Sequence, residues 1–236
     1  MVRLDAAAPT HPHTLPGVLL GTITYDPARH HGTLHLALPP SIAHRDTVAA
    51  VIRIENSLDE AWATRTDAEI AADLGVRCDS LMAIVQRQSV VVAEVQLDYD
   101  APVRRLERWA RVAGRLRRGA FAGREVWVTS IVAHLREGAY GRWFQGEVAG
   151  HILQLFDTGE HADSAAAHEV EVVLARADLP FRLGVGAFER RHRDGSVTDH
   201  RYWFGVAPKL RQLAAWRGLW VFPGGQGWSE LVEAAP

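Results

Sequence analysis

The chain has 236 residues, with 26 Lys and Arg against 28 Asp and Glu and a formal net charge of -2. At 47% hydrophobic and 23% charged it can bury one large core or two small ones, which excludes a mainly disordered chain, and the near-balanced charge provides no bulk attraction for nucleic acid. The single cysteine, Cys78, excludes an internal disulfide and reads as a small buried hydrophobe.

Residues 1–16 are rich in Pro, His and Ala and are expected to form a loose arm, with residues 17–236 as one domain. The N-terminus lacks the apolar stretch of a signal peptide, which leaves a cytoplasmic chain or a trimmed exported one. No run of about 18 apolar residues is present, so no membrane-spanning helix is expected. Alternating runs at Val18–Thr24 and Thr33–Leu38 flank a segment with Pro27 and Gly32, the pattern of a strand pair.

From Thr47 the pattern changes to near-continuous apolar runs at Val48–Ile54, Val90–Leu97, Val126–Val132, His151–Phe156, Phe181–Gly186 and Leu219–Phe222. Their length and their Val and Ile content suit strands covered on both faces. Helical spacing lies between them over Thr66–Gln88, Ala101–Arg118, Ala165–Ala177 and Ala207–Trp216, and Gly138–Gly150 reads as a short connection. Repeated strand–helix–strand units imply a parallel sheet. The strand count and length favour an α/β fold of the (β/α)8 TIM-barrel type, incomplete or irregular at the N-terminus. A doubly wound sheet is the alternative, weakened by the lack of a Gly-rich turn after the early strands.

The most distinctive string is Val95-Gln-Leu-Asp-Tyr-Asp-Ala-Pro102, which ends a strand and opens a helix. Strand alternation places Gln96, Asp98 and Asp100 on one face and Leu97 and Tyr99 on the other. Two close carboxylates do not ionise together cheaply, so one is held protonated and becomes an acid near neutral pH. Two structural roles compete: Asp100 as the cap of the following helix, and Asp98 as a partner of Arg53. Other strand ends supply Arg53, Glu55, Thr129, Gln154, Asp157 and Glu189 as candidate contacts. The aromatics Tyr140, Trp143, Tyr202 and Trp203 fall in expected loops, where a ring can stack on a sugar.

The Gln96-Leu-Asp-Tyr-Asp100 string after Val-Val-Val-Ala-Glu-Val resembles a bacterial family, domain of unknown function 3142, itself similar to glycosidase-type TIM barrels. The resemblance spans about Val48 to Phe222 and implies fold more than activity. The same string is similar to the Asp-x-Asp-x-Glu motif of chitinase-type barrels, with Gln at the first position and Asp at the acid position. That similarity implies Asp100 as acid, Asp98 as its partner, and a further carboxylate from Glu55, Asp157 or Glu189.

Three other motifs compete. Asp67–Val76 followed by Arg77–Gln88 resembles a helix-turn-helix, but a crossover helix broken at Gly75 explains it without a basic excess. The twelve histidines include no His-Glu-x-x-His string, and the nearest clusters are His30-His31 and His161 with Asp157 and Asp163. Asp98-x-Asp100 has the oxygen chemistry for Mg or Ca, yet no metal and no cofactor is expected. Gly224-Gly-Gln-Gly227 reads as a tight loop. The expected function is a glycoside-hydrolase-like protein acting on a polysaccharide or glycoconjugate. Asp98, Asp100 and Glu55 are its candidate catalytic residues, and Gln96, Arg53, Thr129, Gln154, Asp157, Glu189 and Trp203 its substrate contacts. The alternative is a non-catalytic glycan-binding or scaffold barrel. The expected partner is a carbohydrate, with no nucleic acid and no membrane span.

Overall fold

A computed structural model describes residues 15–26, 31–38, 47–157, 162–191 and 195–223. Residues 1–14 of the expected arm, His30, His161 and Gly224–Gly227 lie outside the described residues.

The fold is mixed α/β. Strands β1 (Gly17–Asp26), β2 (His31–Leu36), β3 (Thr47–Ile54), β4 (Val91–Tyr99), β5 (Glu125–Ser130), β6 (Gly150–Gln154), β7 (Phe181–Ala187) and β10 (Trp216–Pro223) form an eight-stranded sheet in the order β10-β7-β6-β5-β4-β3-β1-β2. A separate two-stranded sheet pairs β8 (Glu189–Arg191) with β9 (Val197–Asp199). The helices are α1 (Leu58–Ala61), α2 (Asp67–Arg87), α3 (Leu106–Arg118), α4 (Val132–Arg136), α5 (Tyr140–Phe144), α6 (Ser164–Ala177) and α7 (Tyr202–Leu210). All six apolar runs of the sequence become strands of the large sheet. The expected N-terminal strand pair is present as β1–β2, and it is antiparallel. Among the described residues no ladder joins β2 to β10.

Two compact units divide the chain. One comprises the described residues of His13–Thr129 with Trp143–Gly150, and the other takes Ser130–Arg142 with the described residues from His151 onward.

In the first unit, α2 is one unbroken helix through Gly75. Its start is locked by a capping box between Thr66 and Glu69, and Ile70, Leu74, Cys78, Leu81 and Val85 form one buried stripe. The expected break at Gly75 is absent because this stripe continues across it in phase. The turn that a helix-turn-helix needs is therefore missing. Helix α3 begins at Leu106 after a 3-10 turn at Val103–Arg105. Its Arg108 and Arg111 both bond Asp67 at the start of α2, at 2.7 Å each. Trp109 of α3 is buried and meets Tyr99 of β4 edge-on, with ring centroids 5.0 Å apart, while Trp62 donates to the Tyr99 hydroxyl at 3.4 Å. These contacts place Tyr99 on the helix-covered face of β4 and Asp98 on the opposite face.

In the second unit, Ser130 Oγ lies 2.7 Å from His151 Nδ1, and the His151 ring meets Tyr140 edge-on. Helix α7 begins five residues earlier than the periodicity predicts, because Tyr202 and Trp203 belong to its first turn, and Ala207–Trp216 divides between α7, a turn and β10.

The Tyr99–Trp109 contact fixes the end of β4. Trp109→Ala is expected to lower unfolding free energy by about 3–5 kcal/mol in urea denaturation.

Candidate functional site

The site is built by register. β3 and β4 pair in parallel with Val51 opposite Gln96 and Arg53 opposite Asp98. β4 and β5 pair with Gln96 opposite Trp127, so Thr129 falls two residues on, beside Asp98. β1 carries a bulge between Leu19 and Gly21, which sets Leu19 opposite Val51 and Thr22 opposite Arg53. One face of the sheet therefore has a lower layer of Leu19, Val51, Gln96 and Trp127. Above it lies an upper layer of Thr22, Arg53, Asp98 and Thr129. Glu55 and Asp100 follow at the C-terminal ends of β3 and β4, the edge where parallel α/β folds place their chemistry.

Arg53 is the hub. Its Nε lies 3.3 Å from Glu55 Oε1, its Nη1 3.7 Å from Asp98 Oδ2, and its Nη2 3.9 Å from Asp100 Oδ2. Three carboxylates that reach one planar guanidinium have nearest oxygens no more than about 10 Å apart, the upper end of the range for paired-carboxylate hydrolysis. The pairing of Asp98 with Arg53 expected from sequence is thus present, and Arg53 is shared with the two other acids. Asp100 does not cap a helix: Pro102 precedes the 3-10 turn, and Arg105 precedes α3.

The two aspartates differ in environment. The Asp98 side chain is 18% exposed and that of Asp100 55%. Burial pushes the Asp98 carboxyl above the usual carboxylate range. Arg53 pulls it down, Asp100 and Glu55 push it up, and a hydrogen bond from Thr129 pulls it down, with burial the largest effect. The family resemblance points to Asp100 as acid, whereas Asp98 is the residue whose surroundings favour the protonated form.

Gln96 is buried at 1% exposure, and its Oε1 meets no hydrogen-bond partner. Thr129 is buried as well, and its hydroxyl accepts from the Tyr99 N–H at 3.1 Å. Thr22 has no individual signal in the sequence; only the bulge in β1 brings it level with Arg53.

Gln154, Asp157, Glu189 and Trp203 belong to the other unit. Asp157 holds Arg190 through two 2.7 Å hydrogen bonds and lies 3.7 Å from His200 Nε2. Glu189 pairs with Arg201. Gln154 ends β6. Trp203 is 2% exposed inside α7, and Tyr140 1% exposed in α5, so neither ring is presented to a ligand as loop placement predicted. The helical turn at Tyr202 directs Trp203 into the core. The Ser130–His151 pair has nucleophile–base spacing but is sealed. His151 is fully buried and pushed down to about 3, mainly by burial and then by His134, so it stays neutral at physiological pH. Among the described residues no group of three or more His, Cys, Asp or Glu has a metal-holding arrangement, and no helix is long and apolar enough to cross a membrane.

Because the folded state holds Asp98 above its unfolded value, the folded state binds more protons between the two values, and stability falls as pH rises through that window. Asp98→Asn is therefore expected to melt a few degrees above wild type at pH 7, with the difference shrinking below pH 4, in thermal scans across pH.

No family model matches the chain, and no curated protein does. Solved structures do. The spore cortex-lytic enzyme SleL of Bacillus cereus is similar over 94% of this chain and 68% of its own, with a TM-score of 0.58 and 12% identity. A xylanase–α-amylase inhibitor protein, solved with trehalose, is similar over 93% of this chain and 87% of its own, with a TM-score of 0.55 and 11% identity. At these identities the likeness is one of fold, a mixed α/β architecture shared with both proteins.

Proposed function

We propose that the chain is a glycoside hydrolase acting on a polysaccharide or glycoconjugate, and that Asp98 is its general acid. The observation that carries this reading is the set of three carboxylates, Glu55, Asp98 and Asp100, around Arg53 at the C-terminal ends of β3 and β4. Asp98 is buried enough to hold a proton and donates it to the glycosidic oxygen as the bond to the anomeric carbon breaks. Asp100, the more open of the two aspartates, takes the proton of the water that attacks the anomeric carbon, and Glu55 adds negative charge beside the oxocarbenium-like centre. Arg53 keeps the cluster from accumulating three unbalanced charges. Gln96, 1% exposed beneath Asp98, is screened from the sugar as Trp203 is. On this reading the seven parallel strands, β1, β3 to β7 and β10, correspond to strands of a (β/α)8 barrel, and the resemblance to domain of unknown function 3142 extends through the same segment.

A non-catalytic glycan-binding role is the second reading. It is favoured by the similarity to an inhibitor protein solved with trehalose, in which this fold serves a protein named for inhibition.

A panel of chromogenic glycosides and polysaccharides separates the two. Hydrolysis by wild type is expected to fall 10²-fold or more in Asp98→Asn and in Asp100→Asn. Unchanged hydrolysis in both variants overturns the acid–base roles. A glycan bound with equal affinity by wild type and both variants, with no turnover by any of them, establishes the binding reading.

A further inference from the structure

Thr129 stands where the β4–β5 ladder stops. The ladder pairs Leu97 with Val128, and beyond it the N–H of buried Tyr99 is taken by Thr129 Oγ1 at 3.1 Å instead of by a backbone carbonyl. A buried N–H needs an acceptor. A threonine hydroxyl has one proton and two lone pairs. With one lone pair facing Tyr99, the proton is directed elsewhere, and the register sets the Asp98 carboxylate beside the same hydroxyl on that face of the sheet.

The charged and titratable groups that face Asp98 are Arg53 and Glu55 from β3 and Asp100 from the end of its own strand. Arg53 stands 3.7 Å away on a half-exposed side chain and is shared with two other acids. Thr129 is 4% exposed and anchored at its other side. It is the neighbour with a fixed direction.

We propose that Thr129 is a positioning residue, a hydroxyl locked by the Tyr99 N–H that holds the Asp98 carboxylate in one orientation and stabilises it once its proton has left. This inference rests on the role of Asp98 proposed above. The hydroxyl donates to the ionised oxygen, so it eases proton release without touching the substrate. β5 thereby contributes to the acid on β4 through a residue that the sequence offers as a candidate substrate contact.

The test is a carboxylate-carbon NMR titration of the full chain with labelled aspartate, Asp98→Asn marking the Asp98 signal. Thr129→Val is expected to raise the Asp98 midpoint by roughly one unit, and Thr129→Ser to keep it within a few tenths of wild type. If Thr129→Val does not fold, Thr129→Cys, with a thiol that is only a weak donor, is expected to raise the midpoint in the same direction. An unmoved midpoint in a folded Val or Cys variant overturns the proposal and leaves Thr129 as an acceptor for Tyr99 alone. Where wild type hydrolyses a glycoside, the alkaline limb of its pH profile moves upward with the midpoint, because a general acid must be protonated. A midpoint raised by Thr129→Val, with no hydrolysis by wild type, supports the positioning role and overturns the hydrolase reading. An active wild type with an unmoved midpoint overturns the positioning role alone.

Discussion

The register of β4 between β3 and β5 is the constraint on which the site depends. It sets Arg53 beside Asp98 on one side and Thr129 beside Asp98 on the other. It is held from behind by Tyr99, wedged between Trp62 and Trp109 on the helix-covered face. A slip of one residue would turn Asp98 toward those rings and Tyr99 toward Arg53. The aromatic packing therefore protects the polar face without touching it. The bulge in β1 does the same for Thr22, restoring its alignment with Arg53 after the strand has gained a residue.

Charge at the site is uneven by design of the burial. One guanidinium faces three carboxylates, and the least exposed of them is also the one beside the Thr129 hydroxyl. Burial and two neighbouring acids favour the neutral form of Asp98, while Arg53 and Thr129 favour the ion. Opposed influences of this kind keep a carboxyl able to hold a proton and able to lose it. Elsewhere charge is spent on structure. Asp67 ties α2 to α3 through two arginines, and Arg190 donates to Asp157 from both Nε and Nη2.

The likeness to a cortex-lytic enzyme and to an inhibitor protein bears on fold, and the same backbone serves both kinds of molecule. The proposed activity rests instead on the side chains at the ends of β3 and β4. Buried histidine chemistry does not compete: Ser130 and His151 are sealed among Tyr140 and Phe181, where the imidazole remains neutral and inaccessible.

The strands were legible in the sequence because long Val- and Ile-rich runs bury both faces, and that periodicity is local. So was the alternation that puts Gln96, Asp98 and Asp100 on one face. Helix α2 was legible through its helical spacing, although a glycine at position 75 invited a break that the packed stripe overrides, and its Thr66–Glu69 capping box came only from the structure. Only the tertiary structure decided which acid is buried, since exposure depends on neighbouring strands that the string itself does not contain. It also decided that Trp203 lies in the core, that β2 runs antiparallel, and that β8 and β9 pair, because short polar strands carry little periodic signal. Thr129 shows the difference most clearly: its hydroxyl accepts the Tyr99 N–H across 30 residues of chain and stands beside Asp98 by register. Residue types are written in the sequence. Which of them share a proton is set by register, burial and the ends of ladders.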